Sequence, residues 1–378
     1  MSALTVTTSS VPSTPSAEDV ASARTLHELV ARARRVMADE AWDYVSGGTE
    51  TETTMLRNRL ALDSLGFNPR VLQDVSTLET SGTLLGHAVR VPIVLAPIGS
   101  LSLADPDGAV AVARAAETFG TINFVSSVTT PGLEDVAAAG SGPMIFQLYV
   151  RGDQQWVDDY VARAHAAGYV GLCITVDSAY YSRRERDQIR GYLPPGRRQS
   201  GGYEFQAALN WDTIHRTIAA SPLPVILKGI TDPTDAGLAV DAGVRVIYVS
   251  NHGGRQLDHA PGAIEHLPAV VDAVRGRAEV IVDGGILRGT DVLKALALGA
   301  DAVAIGKLQV WALAGGSSAG LVRALELLEV EVRLALALLG VRNIADLGPQ
   351  HVRPVTPVAS PGITSAFPFL AEEFPGIR

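Results

Sequence analysis

Short apolar runs alternate with longer alanine-rich stretches from about residue 91 to residue 345. Eight runs are expected to be strands: Pro92–Ala96, Ile122–Ser126, Met144–Val150, Gly171–Val176, Pro224–Lys228, Val244–Ser250, Glu279–Val282 and Ala302–Ile305. They are continuously apolar rather than alternating, as strands buried on both faces should be. Between them, helical spacing predicts Asp107–Phe119, Gly132–Ala139, Gln154–Ala167, Trp211–Ala220, Pro233–Ala242, Ala263–Val274 and Thr290–Leu298, with Ser318–Leu339 closing the series. Gly120, Gly140, Gly168, Gly243 and Gly299 stand where such helices stop. Eight strand–helix pairs predict a closed parallel (β/α)8 barrel, a TIM barrel. A doubly wound open sheet is the alternative, but no GxGxxG follows an early strand to support its dinucleotide-binding form.

The flanks differ in pattern. Residues 1–20 are rich in Ser, Thr and Pro and are expected to be a disordered tail. Residues 21–90 form an N-terminal helical cap, in which Leu26, Leu29, Val30, Ala33 and Met37 predict one helix over Leu26–Ser46, stopped by Gly47-Gly48. Asn58–Val71 is expected to be irregular. The barrel occupies 91–345, and a proline-containing extension, 346–378, is expected to wrap an outer surface or a neighbouring subunit. The polar segment Arg186–Asn210 interrupts the series after strand four, on the face where such barrels carry their sites. It is either a lid or a passive surface loop.

Composition narrows the function. The net charge is −9 and only 19% of residues are charged, which argues against nucleic acid as a partner. The single cysteine, Cys173, lies in an apolar run, so neither a disulfide framework nor a cysteine-rich metal site is expected. Met1–Ala17 lacks the pattern of a secretory signal, and no apolar run is long enough to span a membrane. The expected setting is soluble and cytoplasmic.

Candidate chemistry gathers at the strand ends. The stretch Val249 to Asp258 offers His252, Gly253, Gly254, Arg255 and Asp258 behind a buried strand. An imidazole moves protons near neutral pH, and a guanidinium grips a carboxylate with two parallel hydrogen bonds. Other strand ends add Pro97, Ile98, Gly99 and Ser100; Ser126; Gln147 with Tyr149; Thr175 with Asp177; Lys228; Ser250; Asp283, Gly284 and Gly285; and Gly306 with Lys307. No His and carboxylates stand at metal-ligand spacing, so no metal is assigned.

With these residues in view, the sequence resembles the FMN-dependent α-hydroxy-acid oxidases and dehydrogenases. SNHGGRQLD at 250–258 carries most of the likeness, with WDYVSGG at 42–48, FQLYV at 146–150, ITVD at 174–177, RRE at 183–185, LKG at 227–229 and DGG at 283–285. The resemblance implies oxidation of an (S)-2-hydroxy acid, with O2 or another acceptor, in a homo-oligomer, commonly a tetramer. It implies His252 as base and Asp283 as the carboxylate that holds its imidazole. Arg184 and Arg255 would clamp the substrate carboxylate. Tyr44 and Tyr149 would hydrogen-bond the substrate, with Asp177 behind Tyr149. Lys228 would sit near the flavin N1–C2 carbonyl edge, and Ser126, Gln147 and Thr175 would contact the flavin ring. Pro97, Ile98 and Gly99 would approach flavin N5, and Ser250, Asp283, Gly284, Gly285, Arg288, Gly306 and Lys307 would complete the cofactor site.

The chain also departs from that pattern. Leu287 and Lys307 stand where the family has two phosphate-binding arginines, so FMN is expected to bind about ten- to a hundredfold more weakly. Arg288 is adjacent, but must be re-aimed to help. Val128 replaces a bulky aromatic, and Tyr180 and Tyr181 replace a turn, which suggests room for a large or aromatic substrate side chain such as that of a mandelate. Gly99 leans away from a simple oxidase, toward a dehydrogenase or a monooxygenase that decarboxylates its product. The rival readings are another FMN-barrel reaction, such as an isomerisation, and a non-catalytic relative that binds 2-hydroxy or 2-oxo acids.

Overall fold

The computed structural model describes residue 20, residues 22–195 and residues 201–375 of the 378. The tail expected over 1–20 lies outside the described residues except for Val20, as do residues 196–200 of the expected lid.

The eight strands form as β1 (Ile93–Leu95), β2 (Asn123–Ser126), β3 (Met144–Leu148), β4 (Gly171–Thr175), β5 (Val225–Ile230), β6 (Val246–Val249), β7 (Glu279–Val282) and β8 (Ala302–Ile305). The helices that follow them are α1 (Gly108–Phe119), α2 (Leu133–Ala138), α3 (Gln154–Ala166), α4 (Trp211–Ala220), α5 (Pro233–Asp241), α6 (Ala263–Val274), α7 (Gly289–Ala297) and α8 (Lys307–Leu338). Each strand pairs in parallel with the next, and β8 returns to β1. The sheet is therefore a closed (β/α)8 barrel and not an open, doubly wound one. Val94, Phe124, Ile145, Cys173, Tyr248 and Ile281 fill its interior. Burial pushes the Cys173 thiol up, as expected for a core cysteine. A hairpin, Gly82–Leu84 with His87–Val89, adds Leu84 and Val89 to this interior core. Glu279, which opens β7, accepts from Leu85 N at its turn.

Three flanking elements differ from expectation. The single cap helix is two, Leu26–Val36 and Asp39–Ser46. Arg34 and Arg35 end the first and Asp39 and Glu40 open the second, so each end carries the charge its dipole favours. Asn58 and Arg59 lie in a helix, Thr53–Asp63, not in an irregular stretch. That helix buries Thr54, Asn58 and Arg59 beside Met55 and Leu62, and this mixed face hides it from a reading of periodicity. Finally, α8 begins at Lys307 and breaks at Gly316 and Ser317; the helix expected from Ser318 is its second part. A Cβ on Gly315 would lie 2.6 Å from Leu29 O, so the close approach of the cap helix explains that glycine.

The extension wraps its own chain. Val352–Pro354 pairs antiparallel with Leu65–Phe67, and Phe367 is buried against His27 and Trp311. Among the described residues, no helix is long and apolar enough to cross a membrane.

Candidate active site

Strand register sets the floor of the site. Ser126 pairs with Gln147 across β2 and β3, and Thr175 with Lys228 across β4 and β5. Ser126 Oγ donates to Gln147 Oε1 at 2.7 Å, and Gln147 Nε2 donates to Thr175 Oγ1 at 2.8 Å. Lys228 Nζ donates to Ser250 Oγ at 3.1 Å and lies over the Tyr248 ring. All five polar side chains are buried, so each needs the partner it has. Of these, only Lys228 lines the cavity above, which has a volume of about 230 Å³.

His252 projects into that cavity. Its Nδ1 lies 3.1 and 3.2 Å from the two Asp177 oxygens, and its Nε2 lies 3.3 Å from Tyr149 Oη. A carboxylate at Nδ1 favours the proton there and leaves the Nε2 lone pair for a substrate. Burial and the neighbouring Lys228 ammonium pull the imidazole below its ordinary pKa, outweighing Asp177. Burial opposes ionisation of Asp177, but His252 and Lys228 overcome it and hold the carboxyl at about 2. The surroundings thus disfavour protonation of the imidazole and favour ionisation of the carboxyl.

One expected role is corrected by this geometry, and another is extended. Asp283 does not hold the imidazole: Tyr248 Oη donates to its Oδ2 at 3.1 Å, while Oδ1 is buried without a partner. Burial and the Asp177 charge raise the Tyr149 phenol, and Asp177 is also the partner of His252. The reason lies in β5, which separates the ends of β4 and β6. At Gly229 a Cβ would meet Asp177 Cβ at 2.6 Å, so a glycine there gives Asp177 room to reach across.

A cationic wall stands beside the His252 imidazole. The Arg184 guanidinium lies 4.8 Å from the Tyr181 ring centre and 5.7 Å from that of Tyr44, and Arg255 lies 4.8 Å from Tyr44. Arg255 Nη1 donates to the Tyr44 and Gly47 carbonyls at 2.6 and 2.9 Å, which ties the wall to the cap. Burial would raise the Tyr44 phenol, but the two guanidiniums outweigh it and lower its pKa. Gly254 (φ 74°) has Met55 N only 2.4 Å from where a Cβ would sit, so this motif glycine lets the cap close on the barrel. Pro97, Ile98, Gly99 and Val128 also line the cavity. A Cβ on Gly99 would meet Val128 Cγ2 at 2.4 Å, so the packing of Val128 by itself accounts for Gly99. The lean away from an oxidase drawn from that glycine loses its force.

The far end mixes Leu287 with polar groups that are already paired. Gly284 (φ 99°) and Gly285 (φ 83°) turn beneath Asn58, and Leu287 and Gly306 also line the cavity. Arg288 is not re-aimed into it: Nε donates to Glu331 at 3.1 Å, and Nη1 donates to Ala366 O at 3.2 Å. Lys307 Nζ donates to Ser46 O at 2.8 Å, and burial and Arg255 lower its pKa well below the ordinary value. Arg59, which the pattern of the sequence did not single out, donates to Gly285 O at 3.0 Å and pairs with Asp63 and Asp291. No local pattern signals it, because its partners Gly285 and Asp291 lie 226 and 232 residues away.

Among the described residues of the expected lid are two short helices, Glu185–Arg190 and Tyr203–Ala207. Arg186 pairs with Glu52, and Gln206 bridges Val150 N and Thr175 O. Tyr203 and Pro194 reach the cavity.

Residues 33–354 match the model of the FMN-dependent dehydrogenases. The chain belongs to that family. It is 40% identical to an L-lactate oxidase from Nostoc over 85% of this chain and 96% of that one. It is 39% identical to glycolate oxidase 1 of rice over 86% and 94%. A crystal structure of mandelate oxidase superposes with a TM-score of 0.82 at 38% identity, covering 89% of this chain and all of the other. Another, a mandelate oxidase mutant, holds a C4a-OH-FMN adduct (TM-score 0.80, 39% identity, 87% and 99% covered). The protein is an oxidoreductase whose cofactor is FMN, and its own residues fit that group. Lys228 offers a fixed cation, and the unpartnered Asp283 Oδ1 suits a polyol hydroxyl. Gly284, Gly285 and Gly306 line the cavity, and their backbone would receive the phosphate.

Proposed function

We propose that the protein oxidises an (S)-2-hydroxy acid with a bulky or aromatic side chain to the 2-oxo acid. The observation that carries this reading is His252 Nε2 facing the cavity, backed by Asp177 and beside Arg184 and Arg255. Arg184 and Arg255 bind the substrate carboxylate, and Tyr44 and Tyr149 hydrogen-bond the substrate and fix its orientation. His252 takes a proton at Nε2, and Asp177 stabilises the imidazolium that forms. FMN supplies a two-electron acceptor, and Lys228 places a positive charge where negative charge builds on reduction. Val128 leaves room on one side, and Tyr180 and Tyr181 offer aromatic walls on another.

Anaerobic addition of (S)-mandelate and of aliphatic 2-hydroxy acids to the FMN-loaded protein tests this reading. Bleaching of the flavin band is expected, fastest with the aryl acid, and its recovery in air supports O2 as acceptor. His252→Ala should abolish bleaching with the fold intact; undiminished bleaching would sink the assignment. A tetramer is the expected assembly, to be checked by light scattering.

A further inference from the structure

Arg151 has no place in the chemistry described so far, yet it lines the same cavity. It stands two residues beyond Tyr149, just past the end of β3. Its guanidinium lies 3.9 Å from the Tyr203 ring centre and 5.8 Å from that of Tyr149, held between two aromatic rings. One nitrogen, Nη1, is buried and has no hydrogen-bond partner. A charged donor stripped of water and left unpaired is costly, and an acceptor entering the cavity would relieve that cost. The carboxylate common to all 2-hydroxy acids already has Arg184 and Arg255 as its partners in the proposed function. Arg151 is a third guanidinium, with its own orientation fixed by Tyr203 and Tyr149.

We propose that Arg151 determines specificity by pairing with a second carboxylate, at the far end of the substrate's side chain. The preferred substrate is then a 2-hydroxy acid carrying a terminal carboxylate. This inference rests on the proposed oxidation, because it takes the first carboxylate to lie on Arg184 and Arg255. Guanidinium and carboxylate match in shape and charge, so the pair discriminates strongly against an uncharged analogue of similar size. No bond is made or broken at Arg151; it positions the substrate.

The test uses the FMN-loaded full chain and two substrate pairs: 2-hydroxyglutarate against 2-hydroxypentanoate, and 4-carboxymandelate against mandelate. The readout is the ratio of kcat/KM within each pair. The acid with the second carboxylate should be favoured by about tenfold or more in at least one pair. Arg151→Met should shrink that ratio by about ten- to a hundredfold, and Arg151→Lys should keep part of it. The flavin spectrum and circular dichroism confirm that each variant is folded and loaded. Preference for the uncharged acid in both pairs overturns the proposal, as does a preference that survives Arg151→Met. If none of the four acids reduces the flavin, the proposed oxidation fails instead. Titration with 2-oxoglutarate and 2-oxopentanoate, followed by flavin absorbance, then still decides the role of Arg151: equal affinities refute it.

Discussion

Asp177 and Asp283 offer a sharp comparison, because the sequence motifs favour one and the geometry the other as the partner of His252. Asp177→Asn keeps the size of the side chain and removes its charge. In the native site the two Asp177 oxygens lie 3.1 and 3.2 Å from His252 Nδ1, with Lys228 near enough to oppose protonation. Unit charges about 4 Å apart interact by roughly 4 kcal/mol at an effective dielectric constant of 20. An asparagine oxygen recovers part of this through its dipole, so about 2–3 kcal/mol of stabilisation of the imidazolium should be lost. At about 1.4 kcal/mol per factor of ten, kcat should fall roughly 30- to 150-fold. Asp283→Asn keeps its acceptor for Tyr248 and should cost less than about fivefold at saturating FMN, since it does not touch the imidazole. Stopped-flow measurement of anaerobic flavin reduction reads both. The reasoning is refuted if the two variants are equally slow, or if Asp177→Asn stays within about threefold of the parent.

Further expectations follow from the same geometry. His252 must be neutral to accept a proton and its pKa is lowered, so kcat/KM should be flat above neutrality. It should fall in acid through a pKa below the ordinary histidine value; an acid limb centred above pH 7 contradicts this. Asp291→Ala removes the bidentate partner of Arg59 (5% exposed) and the acceptor for Leu287 N and Arg288 N. Asp63 remains as a half-exposed partner, so a loss of about 3 kcal/mol is expected from denaturant unfolding, and a loss under about 1 kcal/mol refutes the role. Leu287→Arg should tighten FMN binding about tenfold or more in a fluorescence titration, through new charged hydrogen bonds to the phosphate. Unchanged affinity would mean that backbone and Lys307 already satisfy that end.

The barrel was legible because its strands are apolar throughout and its helices stop at glycines, both local properties of the chain. Strand register pairs Ser126 with Gln147 and Thr175 with Lys228, and the Gln147–Thr175 hydrogen bond joins the two pairs, which a list of strand ends already hints at. Polar helices are harder. Thr53–Asp63 earns its place through Arg59 pairing with Asp291 and Asn58 bonding Asn251, contacts about 190 or more residues away in sequence. The pairing of His252 was misjudged for a related reason. Asp283 and Asp177 both end barrel strands, and only the crossing of Asp177 past Gly229 decides between them.

Arg288 shows the same principle at the cofactor's far end. A guanidinium next to Leu287 would be the natural substitute for a missing phosphate ligand, and sequence adjacency argues for it. Yet Glu331 on α8 and the Ala366 carbonyl take its donors, and the Phe367 ring lies 5.7 Å from its centre. Ala366 and Phe367 belong to the extension, beyond the residues that match the family model. The same extension brings Gly362 and Ile363 to the cavity wall. Thus one segment both withdraws a cation from the phosphate end and lends it apolar surface. Lys307 and Arg59 also line the cavity but are tied to the Ser46 carbonyl and to Asp63 and Asp291, whereas Arg184, Arg255 and Arg151 are the guanidiniums that an acid substrate would meet.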